Sequence, residues 1–560
     1  MTTMTPTENQ AARNGGQILV EALRRNQVDT VYCVPGESYL PVLDALAGHA
    51  SIRTIVTRHE GAASNMADAH GKVTGLPGIA FVTRGPGATH AANGVHTARQ
   101  DSTPMILFIG QVTSREKERE GFQEVDYRQM FGGLAKWATE IEHIERIPEI
   151  VSRAFSVAMS GRKGPVVVAL PEDVLFGTAA VADIAAVRVA QAAPEPQAAQ
   201  ELAALLAKAQ RPLVIVGGTG WTAQAQADLR RFASAYNLPV AASFRRQDVL
   251  DNRDSQYVGQ LGLGASPALA KTLADADLLI VLGSRLSEVT SGAYELVRSP
   301  QPTQQLVHVH ADPEELGRVY RADLPVNAAV VQAVAAFAAL PAATGTRPWD
   351  AWTRAARAAY EAHNAPLVRG AEQRGVELSA VVAHLSATLP DDAIISNGAG
   401  NYTVWVHRFF RYKQLGTELA PTNGAMGYGL PAAIAAKLAR PASTVVCFAG
   451  DGCFMMYPQE LATAAQFGAA VIVVVVNNGM LGTIRMHQER EYPGRVSGTA
   501  LMNPDFQVFA QSFGAYAERI EHESEFPAAF ERARASGRPA LLELVTDPLQ
   551  ITPAARLDKA

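Results

Sequence analysis

Cysteine is scarce in this chain of 560 residues: it occurs only at Cys33, Cys447 and Cys453, each in or beside an apolar segment and none in a paired or metal-ligand spacing. That excludes a disulfide scaffold and a thiolate metal site, and it reads as buried thiols in a reducing compartment. Long apolar runs are missing as well. The strongest, residues 469–476 (AAVIVVVV), falls far short of the roughly 20 residues that cross a bilayer, so a buried strand is expected there. There is no excess of basic charge either. A net charge of -5 without long runs leaves no footprint for nucleic acid or an anionic membrane, and small-molecule chemistry is favoured. The opening residues MTTMTPTENQ lack the basic start and apolar stretch of a signal peptide, which makes cytoplasmic residence the expectation.

What is present is the composition of an ordinary α/β protein, with 48% hydrophobic and 18% charged residues and 45 Gly to build turns. The length is too great for one core, and about 150 residues per domain suggests three or four, of which three can be traced. Across residues 12–180 short apolar strands (TVYCV, IRTIVT, GIAFVT) alternate with helical stretches, the βα rhythm of a parallel sheet. Residues 176–200, rich in Ala with scattered Pro and poor in large hydrophobes, read as a linker. A second βα region spans 195–340, with PLVIV, LLIVLG and LVHVHA. A third, 350–550, opens with helical segments and then gives AIISN, STVVCFAG and AVIVVVVNN, each before a Gly-rich turn. The expected fold is α/β with three doubly wound parallel-sheet domains and ligands at strand carboxyl ends. The first and third regions could share one fold, which sequence alone does not decide.

The sharpest motif is Gly450-Asp451-Gly452 after STVVCFA, followed across residues 453–476 by Asn477-Asn478. Glycines let a backbone approach a pyrophosphate closely, Asp451 supplies the hard, charged oxygen that Mg²⁺ prefers, and Asn478 adds a neutral one. Phosphate oxygens and water complete such an octahedron, so two side chains suffice. Either piece alone is an ordinary tight turn; together, at this separation, they point to one site. Here the chain resembles the thiamine diphosphate enzyme family. The resemblance implies that Asp451, Asn478 and the backbone carbonyl of Met480 bind the metal, and that Gly450, Gly452, Cys453 and Leu481 line the cofactor. The three domains would then be pyrimidine-binding, central and diphosphate-binding.

No ordinary side chain is basic enough to keep thiamine's reactive carbon deprotonated, so the cofactor must act as its own base. A carboxyl group bonded to the pyrimidine N1′ favours the tautomer whose nitrogen takes that proton. Glu60 stands at the end of IRTIVT in Arg58-His59-Glu60-Gly61, just before a helix of small residues; the plainer reading is an acid complementing a helix N-terminus. The loop Thr83-Arg84-Gly85-Pro86-Gly87 follows GIAFV, as in related enzymes, with Gly87 at the cofactor. By the same resemblance the carbonyl of Gly424 holds the pyrimidine amino group and Met426 is the apolar wedge beneath the cofactor, with core filler as the competing role. It also implies that Glu60 acts on cofactor bound by the third domain of a second subunit, in a homodimer or homotetramer.

Over nearly the whole chain, VPGESYLPVLDAL, GPGATHAANG, GFQEVD, GPVVVALPEDV, GAMGYGLPAAIAA, NNGMLGTIR and NPDF resemble the acetohydroxyacid (acetolactate) synthase branch. That implies a carboligase in which a 2-oxo acid such as pyruvate loses CO₂ and its acyl unit passes to a carbonyl acceptor. Phe122, Gln123 and His487 are the further candidate active-site residues, Gly36 and Ser38 would neighbour the cofactor ring, and Lys136 is a weaker candidate. Departures bear on the acceptor. Glu37 brings a charge where the synthases tend to be uncharged, and His487 stands where they place a Trp that narrows the acceptor site. Arg285-Leu286-Ser287-Glu288-Val289 replaces Arg-Phe-Asp-Asp-Arg, so the second guanidinium, which would grip a carboxylate bidentately, is absent. His90 and His96 join His487 as candidates for proton transfer, beside ordinary packing roles. Gly217-Gly218-Thr219-Gly220 after PLVIV is only a partial dinucleotide fingerprint, which leaves FAD as an alternative second cofactor, not the expected one. No His-His pair occurs among the 13 histidines, which disfavours simple decarboxylation to an aldehyde. A decarboxylase, lyase or C–C hydrolase of the same family is the alternative activity, and a cofactor-binding protein without turnover the third reading.

Overall fold

The computed structural model describes residues 11–342, 345–368 and 373–558. Two compact units divide at 190/191, and three six-stranded, all-parallel sheets carry the architecture. In the first unit the strand order is Arg53–Val56, Thr30–Cys33, Gly78–Val82, Met105–Gln111, Pro165–Pro171, Trp137–Glu140. The inner strands are buried on both faces, as helices on either side of a parallel sheet require. Helix Gly15–Arg25 starts at a capping box, Asn14 bonding the backbone of Gln17 while the Gln17 side chain returns to Asn14, and it buries Ile18, Leu19, Val20 and Leu23.

The second unit holds two sheets. One runs Tyr257–Gln260, Val240–Ala242, Pro212–Val216, Leu278–Leu282, Gln305–His310, Leu324–Asn327; the other runs Glu418–Leu419, Ile394–Asn397, Val445–Gly450, Ile472–Asn477, Ala540–Val545, Tyr516–Ile520. Numbering strands afresh within each sheet gives 2-1-3-4-6-5 for the first sheet, 3-2-1-4-5-6 for the middle one and 2-1-3-4-6-5 for the last. The first and third regions therefore share one wiring, and the middle sheet has the dinucleotide-fold order. The apolar run at 469–476 is a buried strand over Ile472–Val476. The linker reading of 176–200 is corrected at both ends. Thr178–Ala179 pairs antiparallel with Arg13–Asn14, and the helix Pro196–Leu206 starts inside the stretch, its Pro at the first turn where no amide hydrogen is needed.

At the glycine turn after Pro212–Val216, a Cβ on Gly217 would lie 2.0 Å from Ser243 Oγ and one on Gly218 would lie 2.0 Å from the Gly283 carbonyl oxygen. Chain packing alone demands glycine at both positions, so the partial fingerprint lends FAD no support. Within this unit Glu418 is buried beside Asp248: its Oε2 accepts from the Gln247 amide at 2.6 Å, and Asp248 Oδ2 accepts from the Gly416 amide at 2.7 Å. Burial first, and the neighbouring Asp248 second, push the Glu418 carboxyl up to about 7. A carboxyl raised in the fold contributes stability at low pH that is lost as pH rises through that value. Thermal stability should therefore decline as pH rises through about 7, and Glu418→Gln, which keeps an acceptor for Gln247, should flatten the decline. Melting curves across that range check it; an unchanged slope in the variant would count against the assignment.

Candidate active site

In the first unit the candidates lie after the carboxyl ends of four strands, and Glu60 is the first residue of the helix Glu60–Thr74 that follows Arg53–Val56. His59 caps that helix, its Nδ1 accepting from the Gly61 amide at 2.9 Å. The bond needs the Nδ1 lone pair, so the His59 ring is neutral; burial, and then His90, lower its affinity for a second proton. Glu60 Oε2 lies 2.9 Å from His90 Nδ1, and the two imidazoles stack with centroids 4.5 Å apart. A Cβ on Gly87 would lie 3.4 Å from Glu60 Oε1 and 2.9 Å from Thr83 Cγ2. Glycine at 87 therefore keeps one carboxylate oxygen clear while His90 holds the other.

Other candidates from the first region divide. Gly36 sits where a Cβ would lie 2.6 Å from Thr83 Cβ. Ser38 is fully buried and shares a 3.0 Å hydrogen bond with Thr83, so its hydroxyl braces the Thr83 loop. Gln123 has φ +65°, in the left-handed region that non-glycine residues rarely adopt and that clusters at functional sites. Its carbonyl packs where a Cβ on Gly85 would lie 2.9 Å away. Phe122 beside it is 73% exposed, a large apolar face left in water. The charge of Glu37 is answered by buried Arg84 at 2.9 Å, which also reaches Glu172 at 3.3 Å. Lys136 is corrected to a structural role, since its ammonium donates to the carbonyls of Val157 (2.7 Å) and Ser160 (2.5 Å) at the end of helix Ile147–Met159. His96 is half-buried further along helix Gly85–Asp101.

In the second unit a cavity of about 250 Å³ opens at the carboxyl ends of the last sheet. Its lining includes Gly424, Met426, Gly450, Asp451, Gly452, Cys453, Asn478, Met480 and Leu481, that is, every third-region candidate except His487. Asp451 is 2% exposed. Its Oδ1 accepts from the Gly452 amide (2.9 Å), and its Oδ2 from the Gly479 amide (2.9 Å) and Asn503 Nδ2 (2.7 Å). Burial raises the proton affinity of this carboxyl, opposed by those donors. Asn503 also donates to Asn477 Oδ1 at 3.0 Å, and Asn477 in turn donates to Glu543 at 2.7 Å, so a hydrogen-bonded row holds Asp451 in one rotamer. A Cβ on Gly452 would lie 2.7 Å from Leu481 Cδ2; only glycine leaves the cavity floor open there.

Carboxylate and amide oxygens from Asp451 and Asn478 are the hard donors that Mg²⁺ takes, and the Met480 carbonyl, which accepts from the Gly482 amide at 3.0 Å, keeps a second lone pair. The donor set and the glycine floor thus fit a metal-anchored diphosphate. Cys453 Sγ accepts from the Gly427 amide (3.2 Å) and the Tyr402 hydroxyl (3.4 Å), tying three strand-end loops together. His487 is not part of the lining: it is exposed on helix Gly482–Glu491 and its Nδ1 faces Arg490 at 3.0 Å. The pairing of His90 with Glu60 and the role of Asn503 escaped sequence reasoning. Asn503 opens the NPDF segment, a signal noticed only as likeness. Among the described residues no helix is long and apolar enough to cross a membrane.

A part-buried acid lies at strand ends of the first unit and a glycine-floored, oxygen-lined cavity at strand ends of the second, and the comparisons with known proteins cover both. Residues 13–130 match the N-terminal TPP binding domain of thiamine pyrophosphate enzymes, 199–337 their central domain and 398–544 their C-terminal TPP binding domain. This chain belongs to the thiamine pyrophosphate enzyme family and is an enzyme that depends on that cofactor. Among its relatives is an acetolactate synthase large subunit of Parasynechococcus marenigrum, 32% identical over 95% of this chain and 87% of that protein. Another is the acetolactate synthase isozyme 2 large subunit of Escherichia coli, 31% identical over 96% of each. A probable acetolactate synthase large subunit of Methanocaldococcus jannaschii is 30% identical over 96% of this chain and 93% of the relative.

Proposed function

We propose that this protein is a Mg²⁺- and thiamine diphosphate-dependent carboligase that takes the acyl unit of a 2-oxo acid such as pyruvate, with loss of CO₂, to a carbonyl acceptor. The observation that carries the reading is the buried Asp451 carboxylate beside Asn478 in a cavity whose floor is Gly452. When bound, the cofactor supplies a nucleophilic carbon and a sink for the electron pair that CO₂ leaves behind. Asp451, Asn478 and the Met480 carbonyl hold the metal that grips the diphosphate. Met426 and Leu481 give the rings an apolar bed, and Gly424 offers its carbonyl to the pyrimidine amino group. Glu60, with Oε1 unobstructed beside Gly87, would hold at that atom the proton exchanged with the pyrimidine. Gln123 and exposed Phe122 face the substrate. Incubation with pyruvate and a panel of carbonyl acceptors, with products read by mass, tests this: a 2-hydroxy ketone or hydroxy-oxo acid is expected, and none forming with any pair would overturn it. Val289, standing where the synthases carry the second Arg, favours an acceptor without a carboxylate and hence a 2-hydroxy ketone as product, and aldehyde as the sole product would establish the decarboxylase alternative.

Each site is completed by Glu60 from one copy and the Asp451 turn of another, in a homodimer or homotetramer. The exposed apolar residues Phe122, Met456, Met502 and Val508 support an assembly that covers them. Inactive Glu60→Gln and Asp451→Ala chains, refolded together, should recover about one quarter of wild-type activity, since half the pairs are mixed and each mixed pair of a two-fold dimer has one intact site. No recovery would mean that both residues act within one chain.

A further inference from the structure

We infer that His90 is a positioning residue for Glu60, holding its carboxyl group in place and exchanging its proton with solvent. The inference rests on the catalytic reading of Glu60. The geometry comes from the way two helices are seated. A Cβ on Gly94 would lie 2.3 Å from Ser64 Oγ, so the helices Glu60–Thr74 and Gly85–Asp101 meet nearly backbone to backbone at that point. Ser64 is four residues after Glu60 and Gly94 four after His90, so one helical turn back along each helix these two side chains face each other. The result is the 2.9 Å contact between Nδ1 and Oε2.

The two partners differ in access to water. The Glu60 side chain is 13% exposed and that of His90 52%. Stacking on His59, itself tied by Nδ1 to the Gly61 amide, fixes the plane of the His90 ring. An imidazole carries a proton on either nitrogen: uptake from water at Nε2 and release from Nδ1 to Oε2 replaces the proton that Glu60 has given up through Oε1 and leaves the ring neutral as its Nε2–H tautomer. That tautomer is reset when Glu60 regains its own proton through Oε1 and the relay runs in reverse, Oε2 to Nδ1 and Nε2 to water. The titratable groups around the pair are His59, stacked on His90, and Tyr39, whose hydroxyl feels the Glu60 charge. Tyr39 donates to the Val34 carbonyl at 2.6 Å, so among the described residues it is the half-exposed ring of His90 that pairs Glu60 Oε2 with a route to solvent.

The test uses the holoenzyme with thiamine diphosphate and Mg²⁺ and follows exchange of the cofactor's reactive carbon-bound hydrogen for deuterium by NMR after acid quench. His90→Ala should slow exchange by at least about tenfold, less than the roughly 10²–10⁴-fold of a group that transfers the proton directly because His90 acts through Glu60, while cofactor affinity stays close to wild type. Free imidazole in the buffer should restore much of the loss, as no purely structural role would allow, and His90→Asn, which keeps a donor but cannot relay, should bind cofactor normally and stay slow. Exchange at the wild-type rate in His90→Ala, or a loss that imidazole leaves untouched, overturns the inference. Glu60→Gln run alongside separates the two levels: if it too exchanges at the wild-type rate, the catalytic reading of Glu60 has failed, and not merely the role of His90.

Discussion

Glu60→Gln is expected to lose turnover by about 10²–10⁴-fold, the range for removing a positioned acid–base group, while thiamine diphosphate binds within about tenfold of its wild-type affinity. The two readouts separate because glutamine keeps the size and one acceptor of the side chain but has no proton to give and recover. One altered hydrogen bond is worth about 1 kcal/mol, less than a factor of ten in affinity. The site is built to keep that loss local. Gly87 leaves Oε1 uncovered, and the helix N-terminus at residue 60 is capped independently through His59 and the Gly61 amide. Turnover at saturating cofactor, with calorimetry for affinity, decides the matter; a variant within tenfold of wild-type activity would remove Glu60 from the chemistry.

Asp451→Ala should act on the other end of the cofactor, and in the opposite pattern. Truncating one partner of a buried charge pair typically costs about 2–5 kcal/mol, so thiamine diphosphate affinity in the presence of Mg²⁺ should fall by about 30-fold to several thousandfold. The wild-type protein should gain about 2.7 kcal/mol of stability at a cofactor concentration one hundred times the dissociation constant, and at the same concentration the variant should lose from about two thirds of that gain, for an affinity about 30-fold weaker, to nearly all of it. Asp451 is suited to the task because its carboxylate is buried and held by Gly452, Gly479 and Asn503. Removing it also takes the acceptor from the Gly452 amide and leaves the Gly479 amide and Asn503 with only Asn477 Oδ1 of their two acceptors, so the apoprotein should be somewhat less stable. Thermal shifts with and without Mg²⁺ and cofactor measure both effects, and an undiminished Mg²⁺-dependent shift in the variant would argue against metal binding at this turn.

The Gly-Asp-Gly turn and the Asn pair were legible in the sequence because their chemistry is local: each lies within a few residues of a buried strand, and a strand end followed by glycine announces a ligand-facing turn. The three-sheet fold was legible for the same reason, since PLVIV, LLIVLG and VVCFAG are runs buried on both faces. What resisted reading depends on register between distant elements. His90 meets Glu60 only because Gly94 lets two helices touch at Ser64, a contact no local pattern encodes. Asn503 reaches Asp451 across 52 positions of chain. His487 was drawn toward the cavity by its nearness in sequence to Met480 and Leu481, yet Thr483 and Ile484 are lining residues and His487 is not. Four residues past Thr483 places it about one helical turn farther along the axis, out at the surface.

The first and last sheets carry the same 2-1-3-4-6-5 wiring, and the loops that matter occupy matching berths. After the second strand of each come Glu60 in one and Met426 in the other; after the third come Arg84 in one and Asp451 in the other. On the proposed reading a single scaffold serves both ends of one elongated molecule, and its own backbone is indifferent to which. What each end of a guest meets is set by a few side chains at equivalent rims, Glu60 and Arg84 on one sheet and Met426 and Asp451 on the other, so the wiring alone does not decide which end is seated where.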